Sequence, residues 1–164
     1  MAPNDHRGRA DGDEGSIPSA VRDAADATAA LAAAVQAFAA DSGTLHFLGA
    51  DGMLHLAAAH GPLPPPVLEK VRVIPVGKGM AGICAELNEP VTWCNLAQDT
   101  SGVVQASARS TGLAGSIVVP VRSGGRLVGV LGIANHAERT FTDAETARLC
   151  ESAATLARFR ATAS

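Results

Sequence analysis

From Val21 onward, Val21, Ala24/Ala25, Thr28, Leu31, Val35 and Phe38 recur at three- and four-residue steps, the stripe of an amphipathic helix. Ser16-Ile17-Pro18-Ser19 reads as its start with Ser19 as N-cap, and Asp41-Ser42-Gly43 as its end; this predicts one helix of about twenty residues. The period then falls to two. Thr44–Leu48 and Met53–Ala57 flank Ala50-Asp51-Gly52, and Asp-Gly between apolar runs signals a β-hairpin. A proline-rich break, Gly61–Pro66, leads into a short helix at Val67–Lys70, a strand at Val71–Val76 and a second short helix at Met80–Leu87. Pro90–Cys94 reads as another strand, and Asn95–Gly112 as a polar, Gly/Ser-rich stretch with a helix after Asp99-Thr100. Ala114–Arg122 and Arg126–Asn135 form a second hairpin across Ser123-Gly124-Gly125. Thr142 followed by Glu145 has capping-box spacing. It opens a terminal helix to about Phe159, with Leu149, Ala153 and Leu156 on one face.

Strands joined as hairpins, with helices at the two ends, predict an antiparallel sheet in an α+β domain without internal repeats. Residues 1–16 hold no apolar pair to offset the entropy of ordering and are expected to be a disordered tail. The domain is expected over residues 17–160, with 161–164 as a C-terminal tail.

Composition narrows this further. Of the 164 residues 47 % are hydrophobic but only 3 % aromatic, so the core must be aliphatic. A net charge of −3 is unlike a nucleic-acid-binding surface, and so few rings cannot stack single-stranded bases. No apolar run approaches the ~18 residues of a membrane span, and the start lacks the apolar region of a signal peptide. Cys84, Cys94 and Cys150 are odd in number and widely spaced, which suits a reducing compartment better than a disulfide framework. A cytoplasmic protein with neither a nucleic-acid nor a membrane partner is expected.

Four segments carry a resemblance: Val76-Gly77-Lys78-Gly79-Met80-Ala81-Gly82, Gly115–Val121, Gly129–Asn135 and Phe141-Thr142-Asp143-Ala144-Glu145. In this order and spacing, over about residues 20–160, the chain resembles a GAF domain, the small sensory and ligand-binding module of signalling proteins. The resemblance implies an antiparallel sheet of about six strands with the N- and C-terminal helices on one face. Short helices and loops on the other face would form a pocket. It also implies a homodimer through the terminal helices, unless their apolar faces are used up within one subunit.

Within that frame the candidate ligand-binding residues are Met80, Ala81, Cys84, Trp93, Asn95, Arg109 and Ser116. The Gly77–Gly82 turn opens a helix whose first amides lack partners and could hold an anion or polar group. The same glycines could merely let strand meet helix, since the Walker spacing is absent. Trp93 could wall a ligand or fill core volume. Arg109, in the polar stretch, is the charge best placed for an anionic ligand, or a solvated loop arginine.

GAF domains that reduce free methionine sulfoxide carry a Gly-Lys-Gly-Val-Cys motif similar to the stretch here, but Ala81 stands at the cysteine. Their reactive cysteine, shortly before the Ile117-Val118-Val119-Pro120 strand, is replaced by the neighbourhood of Arg109 and Ser110. Cys84 and Cys94 then read as small pocket or core residues. The cyclic-nucleotide signature is partial, because His136 follows Asn135 where a lysine is required. Bilin attachment has no matching Cys-His pair. His46 and His55 lack a third metal ligand and read as half-exposed hairpin residues, so no metal or cofactor is expected.

The leading expectation is a stand-alone sensory module that binds a small polar or anionic ligand and signals to a separate partner protein. With this length, the output domain is expected on a separate polypeptide. The alternatives are a divergent free methionine sulfoxide reductase-like enzyme, and a structural or dimerising module without ligand.

Overall fold

The computed structural model describes residues 19–93 and 114–160. The expected tails, Cys94 and the whole polar stretch 95–112, with Asn95, Arg109 and the helix expected after Asp99-Thr100, lie outside the described residues. Six strands among those described form one antiparallel sheet in the order β3-β2-β1-β6-β5-β4. They are β1 Ser42–Leu48, β2 Met53–His60, β3 Val73–Pro75, β4 Val91–Trp93, β5 Gly115–Ser123 and β6 Arg126–Asn135. The helices are α1 Ser19–Arg22, α2 Ala27–Ala37, α3 Pro65–Lys70, α4 Gly79–Leu87 and α5 Asp143–Leu156, the last running into a 3-10 turn at Ala157–Phe159. The α+β class and the division of helices between two faces follow the expectation.

Alternation along the strands assigns the faces. Leu45 and Phe47 of β1, Ile117, Val119 and Val121 of β5, and Leu131 and Ile133 of β6 join Leu31, Val35 and Phe38 with Leu149, Ala153 and Leu156 in one core. This first face carries α1, α2 and α5. Each large aliphatic side chain buried there contributes about 1.5–3 kcal/mol. Alanines at 30, 34 and 153, all without exposure, let the helices approach closely, which is where the alanine-rich, ring-poor composition is used. The second face, with Val118 of β5 and Val130 of β6, lies under α4. Because both faces of β5 are covered, seven of its nine residues are buried and it shows no polar alternation.

Two bulges bend the sheet. Leu45 pairs with Ala58 but His46 with Leu56, leaving Ala57 extra in β2. Val121 pairs with Gly129 but Arg122 with Leu127, leaving Val128 extra in β6. Each extra residue packs onto the first face beside its neighbour and increases local twist.

Local chemistry decides most element ends. Thr142 and Glu145 form the reciprocal capping box, with Glu145 N–H donating to Thr142 Oγ1 at 3.0 Å and Thr142 N–H to Glu145 Oε1 at 2.9 Å. Arg139 adds a 3.0 Å bond to Glu145 Oε2. In the second hairpin Ser123 pairs with Arg126, and Gly124 and Gly125 take φ of 60° and 82°, which a primed two-residue turn requires. The single N-terminal helix is corrected to two: Asp26 sits in extended backbone and its side chain accepts from Ala29 N at 2.8 Å. That cap starts α2 afresh, so side-chain capping overrides an unbroken apolar period. The strand expected over Val71–Val76 shrinks to Val73–Pro75, which pairs with Met53–His55 of β2. Among the described residues no helix is long and apolar enough to cross a membrane.

Candidate functional site

The second face is covered unevenly, and α4 decides where. Its start follows Gly77-Lys78, and Gly82 brings it so close to β3 that an added Cβ would lie 2.4 Å from Pro75 O. Its end is capped by Asn88 in the left-handed region, φ 56°, with Asn88 N–H donating to Cys84 O at 2.7 Å. Arg122 of β5 donates through Nε to Asn88 Oδ1 at 2.9 Å and through its terminal nitrogen to Asn88 O. Held at both ends, α4 lays Cys84 and Ala85 on Leu54, Val118 and Val130. Its first turn puts Met80 on Ala134, onto which Leu63 and Trp93 also pack.

Strand register lines up the floor beneath that first turn. Trp93 pairs with Ser116, Ser116 with Ala134, and Ala134 with Ser42. One step along, Val91, Val118, Gly132 and Thr44 form the neighbouring row. Ser116 and Ala134 are almost covered, whereas Thr44 and Gly132 stay partly exposed although both lie on interior strands. The second face of the two interior strands is thus incompletely covered at Thr44 and Gly132 among the described residues. Ser116 Oγ donates to Ile133 O at 3.3 Å, which leaves its lone pairs as acceptors. The described floor is apolar with hydroxyls and bears no charge.

Of the residues named from sequence, Met80, Trp93 and Ser116 come together here, with Ala81 half-buried on the same turn of α4. Asn95 and Arg109 lie outside the described residues. Cys84 is brought to the interior instead: its side chain has no exposure. Burial pushes its thiol up to about 12, Cys150 adds to the rise, and Arg122 opposes it. A thiol so protonated is neither nucleophile nor metal ligand. Ellman's reagent at pH 8 is therefore expected to leave Cys84 unmodified in the native protein and to label it after urea unfolding, as read by peptide mass mapping; native labelling would refute its burial. Thr44, Leu63, Gly132 and Ala134 were not picked out from sequence. Only register reveals them, although Thr44 as a polar residue in an apolar strand was a usable signal.

His46 corrects a second expectation. It is 1 % exposed, not half-exposed, and points to the second face while the neighbouring His55 lies exposed beside Asp51. Its Nε2 lies 2.7 Å from the carbonyl of Val71, the C-cap of α3, and Nδ1 has no partner among the described residues. The arrangement needs the neutral ring with Nε2–H donating. Desolvation outweighs that bond and His55 adds to it, so the ring titrates below its ordinary 6.5. The unfolded chain takes up this proton first on acidification. Stability should then fall as pH drops below 6.5, by up to about 1.4 kcal/mol per pH unit, until the folded ring also protonates. Urea unfolding between pH 7.5 and 5.5 tests this. His46→Gln, which can still donate to Val71 but does not titrate, should show a shallower slope; an unchanged slope would assign the effect elsewhere.

Among the described residues no group of three His, Cys, Asp or Glu could hold a metal. What fold and site define is an α+β module with the terminal helices packed on one face of a six-stranded antiparallel sheet and the short helix α4 on the other. The chain belongs to the GAF domain family, whose model matches residues 23–159; the GAF fold is that of ligand-binding and sensory modules. A search of curated proteins finds no match. Among solved structures, the chain is similar to free methionine-R-sulfoxide reductase from Neisseria meningitidis in complex with its substrate, at 27 % identity and TM-score 0.67, covering 88 % of this chain and 84 % of that one. It is also similar to the GAF domain of a phosphoenolpyruvate-protein phosphotransferase from Coxiella burnetii, at 24 % identity and TM-score 0.69, covering 87 % of each. The type II free methionine-R-sulfoxide reductase of Thermoplasma acidophilum shares the fold at 22 % identity and TM-score 0.67, over 84 % of this chain and 94 % of that one.

Proposed function

We propose that this chain is a sensory GAF module that binds a small polar or anionic ligand on the second face of its sheet and signals to a separate protein. The observation that carries this is the partial exposure of Gly132 and Thr44 on interior strands, beside the acceptor lone pairs of Ser116 and the walls Met80 and Trp93. Asn95 and Arg109 supply the remaining polar and charged contacts in this reading. The chain pairs with a second copy through its terminal helices and works in the cytoplasm. A thermal-shift screen with nitrate, amino acids, small carboxylic acids and nucleotides tests the ligand, because a compound bound only by the folded state raises the melting temperature. Stabilisation by at least one small polar compound is expected; a flat response across such a set favours a structural module. Light scattering on the eluting protein tests the pairing, and a monomer mass would end it.

The likeness to two free methionine-R-sulfoxide reductases supports a second reading, a thiol enzyme acting on free methionine sulfoxide. Cys84 cannot serve it, and Cys150 packs on the helix-bearing face away from the site, so this reading needs Cys94. Turnover of free methionine sulfoxide with a dithiol reductant, abolished by Cys94→Ser and kept by Cys84→Ser, would establish it. Absent turnover removes it.

A further inference from the structure

At the opposite corner of the sheet, on the first face, α5 ends before it reaches the tips of the two hairpins. The space left is a concavity of about 1010 Å³ beside β1, β2 and β6. Phe47, Ala57 and Val128 give it an apolar floor, and two of these three are the extra residues of the bulges. Three arginines, Arg126, Arg158 and Arg160, line it, and no carboxylate of the described residues does. On a chain of net charge −3 this is a local inversion of sign.

The arginines differ in freedom. Arg158 donates to the carbonyls of Thr155, Val21 and Ala24 at 2.9–3.1 Å and stacks 4.3 Å over Phe159, so its charge is fixed in place. Arg126 and Arg160 are exposed and make no ion pair among the described residues. Their donors are available for bidentate binding of carboxylates. We propose that this groove docks an acidic peptide segment of a partner protein, its carboxylates on Arg126 and Arg160 and an apolar side chain on Phe47 and Val128. A wide, open groove with spaced guanidinium groups and an apolar floor suits an extended chain with both kinds of side chain; a single small anion would cover little of it. The proposal does not depend on what the ligand site binds.

Fluorescence polarisation of the full chain with a labelled peptide alternating Glu and Leu tests it. Saturable binding is expected, weakened at least tenfold by combined Arg126→Glu and Arg160→Glu, and recovered in that variant by a peptide alternating Lys and Leu. Both side chains are exposed, so the variant should melt with the wild type, which checks folding. A Glu–Ser peptide should bind at least fivefold more weakly, because it lacks the apolar contact. No saturable binding, equal binding by the charge-reversed variant, or equal binding of the Glu–Ser peptide would each overturn the proposal. So would displacement of the peptide by millimolar inorganic phosphate or octanoate alone, which would make the groove a small-anion site.

Discussion

Gly129→Ala should lower the melting temperature by about 10 °C or prevent folding, the largest effect expected of any single methyl group here. A Cβ at this position would lie 2.2 Å from His46 O, and 3.0 and 3.1 Å from Cδ1 and Cα of Phe47. Most of these atoms belong to backbone, which has no rotamer to yield. Nor can β1 move aside, because it is bonded to β2 on one edge and β6 on the other. Separating β1 from β6 would also shift Leu45 and Leu131, both without exposure in the main core. Overpacking of cores usually costs about 1–3 kcal/mol, and clash with fixed backbone belongs at or beyond the upper end. A circular-dichroism melt decides it: a variant melting within 2–3 °C of the wild type, a change of less than about 1 kcal/mol, would show that the strands separate more easily than this packing implies.

Gly132→Leu should do the reverse, sparing the fold and closing the site. Three residues along the same strand, an added Cβ meets Val118 Cγ2 at 3.4 Å, Thr44 Oγ1 at 3.6 Å and Ile117 O at 3.8 Å, all ordinary contacts. Gly132→Ala is then tolerated, and should stabilise by a few tenths to about 1 kcal/mol, since glycine inside a strand is entropically costly. The longer leucine extends from the same point over Thr44 and Val118 on the second face. Compounds that raise the melting temperature of the wild type should lose that effect, with affinity down at least tenfold, while the unliganded variant melts within about 5 °C of the wild type. Retention of the full ligand response by a folded Gly132→Leu protein would move the site elsewhere.

Sequence reading succeeded where the deciding interaction spans a few residues. The Thr142–Glu145 box, the Gly124-Gly125 turn and the span Arg126–Asn135 were legible because cap and turn chemistry is written within four positions. It failed where a side chain answers something distant or local chemistry outvotes a pattern. The apolar stripe from Val21 to Phe38 runs unbroken through Asp26, yet that carboxylate's bond to Ala29 N restarts the helix. His46 looked half-exposed because its strand edges a hairpin; burial follows from β6 on its far side and the carbonyl of Val71 above it. The site was half legible. Met80, Trp93 and Ser116 sit in recognisable segments, whereas Gly132 and Thr44 join them only through pairing across four strands. Cys84 looked like a site residue because its helix is a site helix, and only the helix's rotation, fixed by Gly82 and Asn88, turns it inward.

The bulge at Val128 bears on how β6 would respond to random mutagenesis. An unbroken strand would accept variation in simple every-other-residue rhythm. Here the demand for aliphatic residues on the helix-bearing side falls at Val128, Leu131 and Ile133, and on the other side at Leu127 and Val130. In a saturation library the alternation therefore changes phase at one codon. Deleting that codon would restore a regular ladder, keep Leu127 opposite Arg122 on its present side, and remove the Val128 side chain from the helix-bearing core.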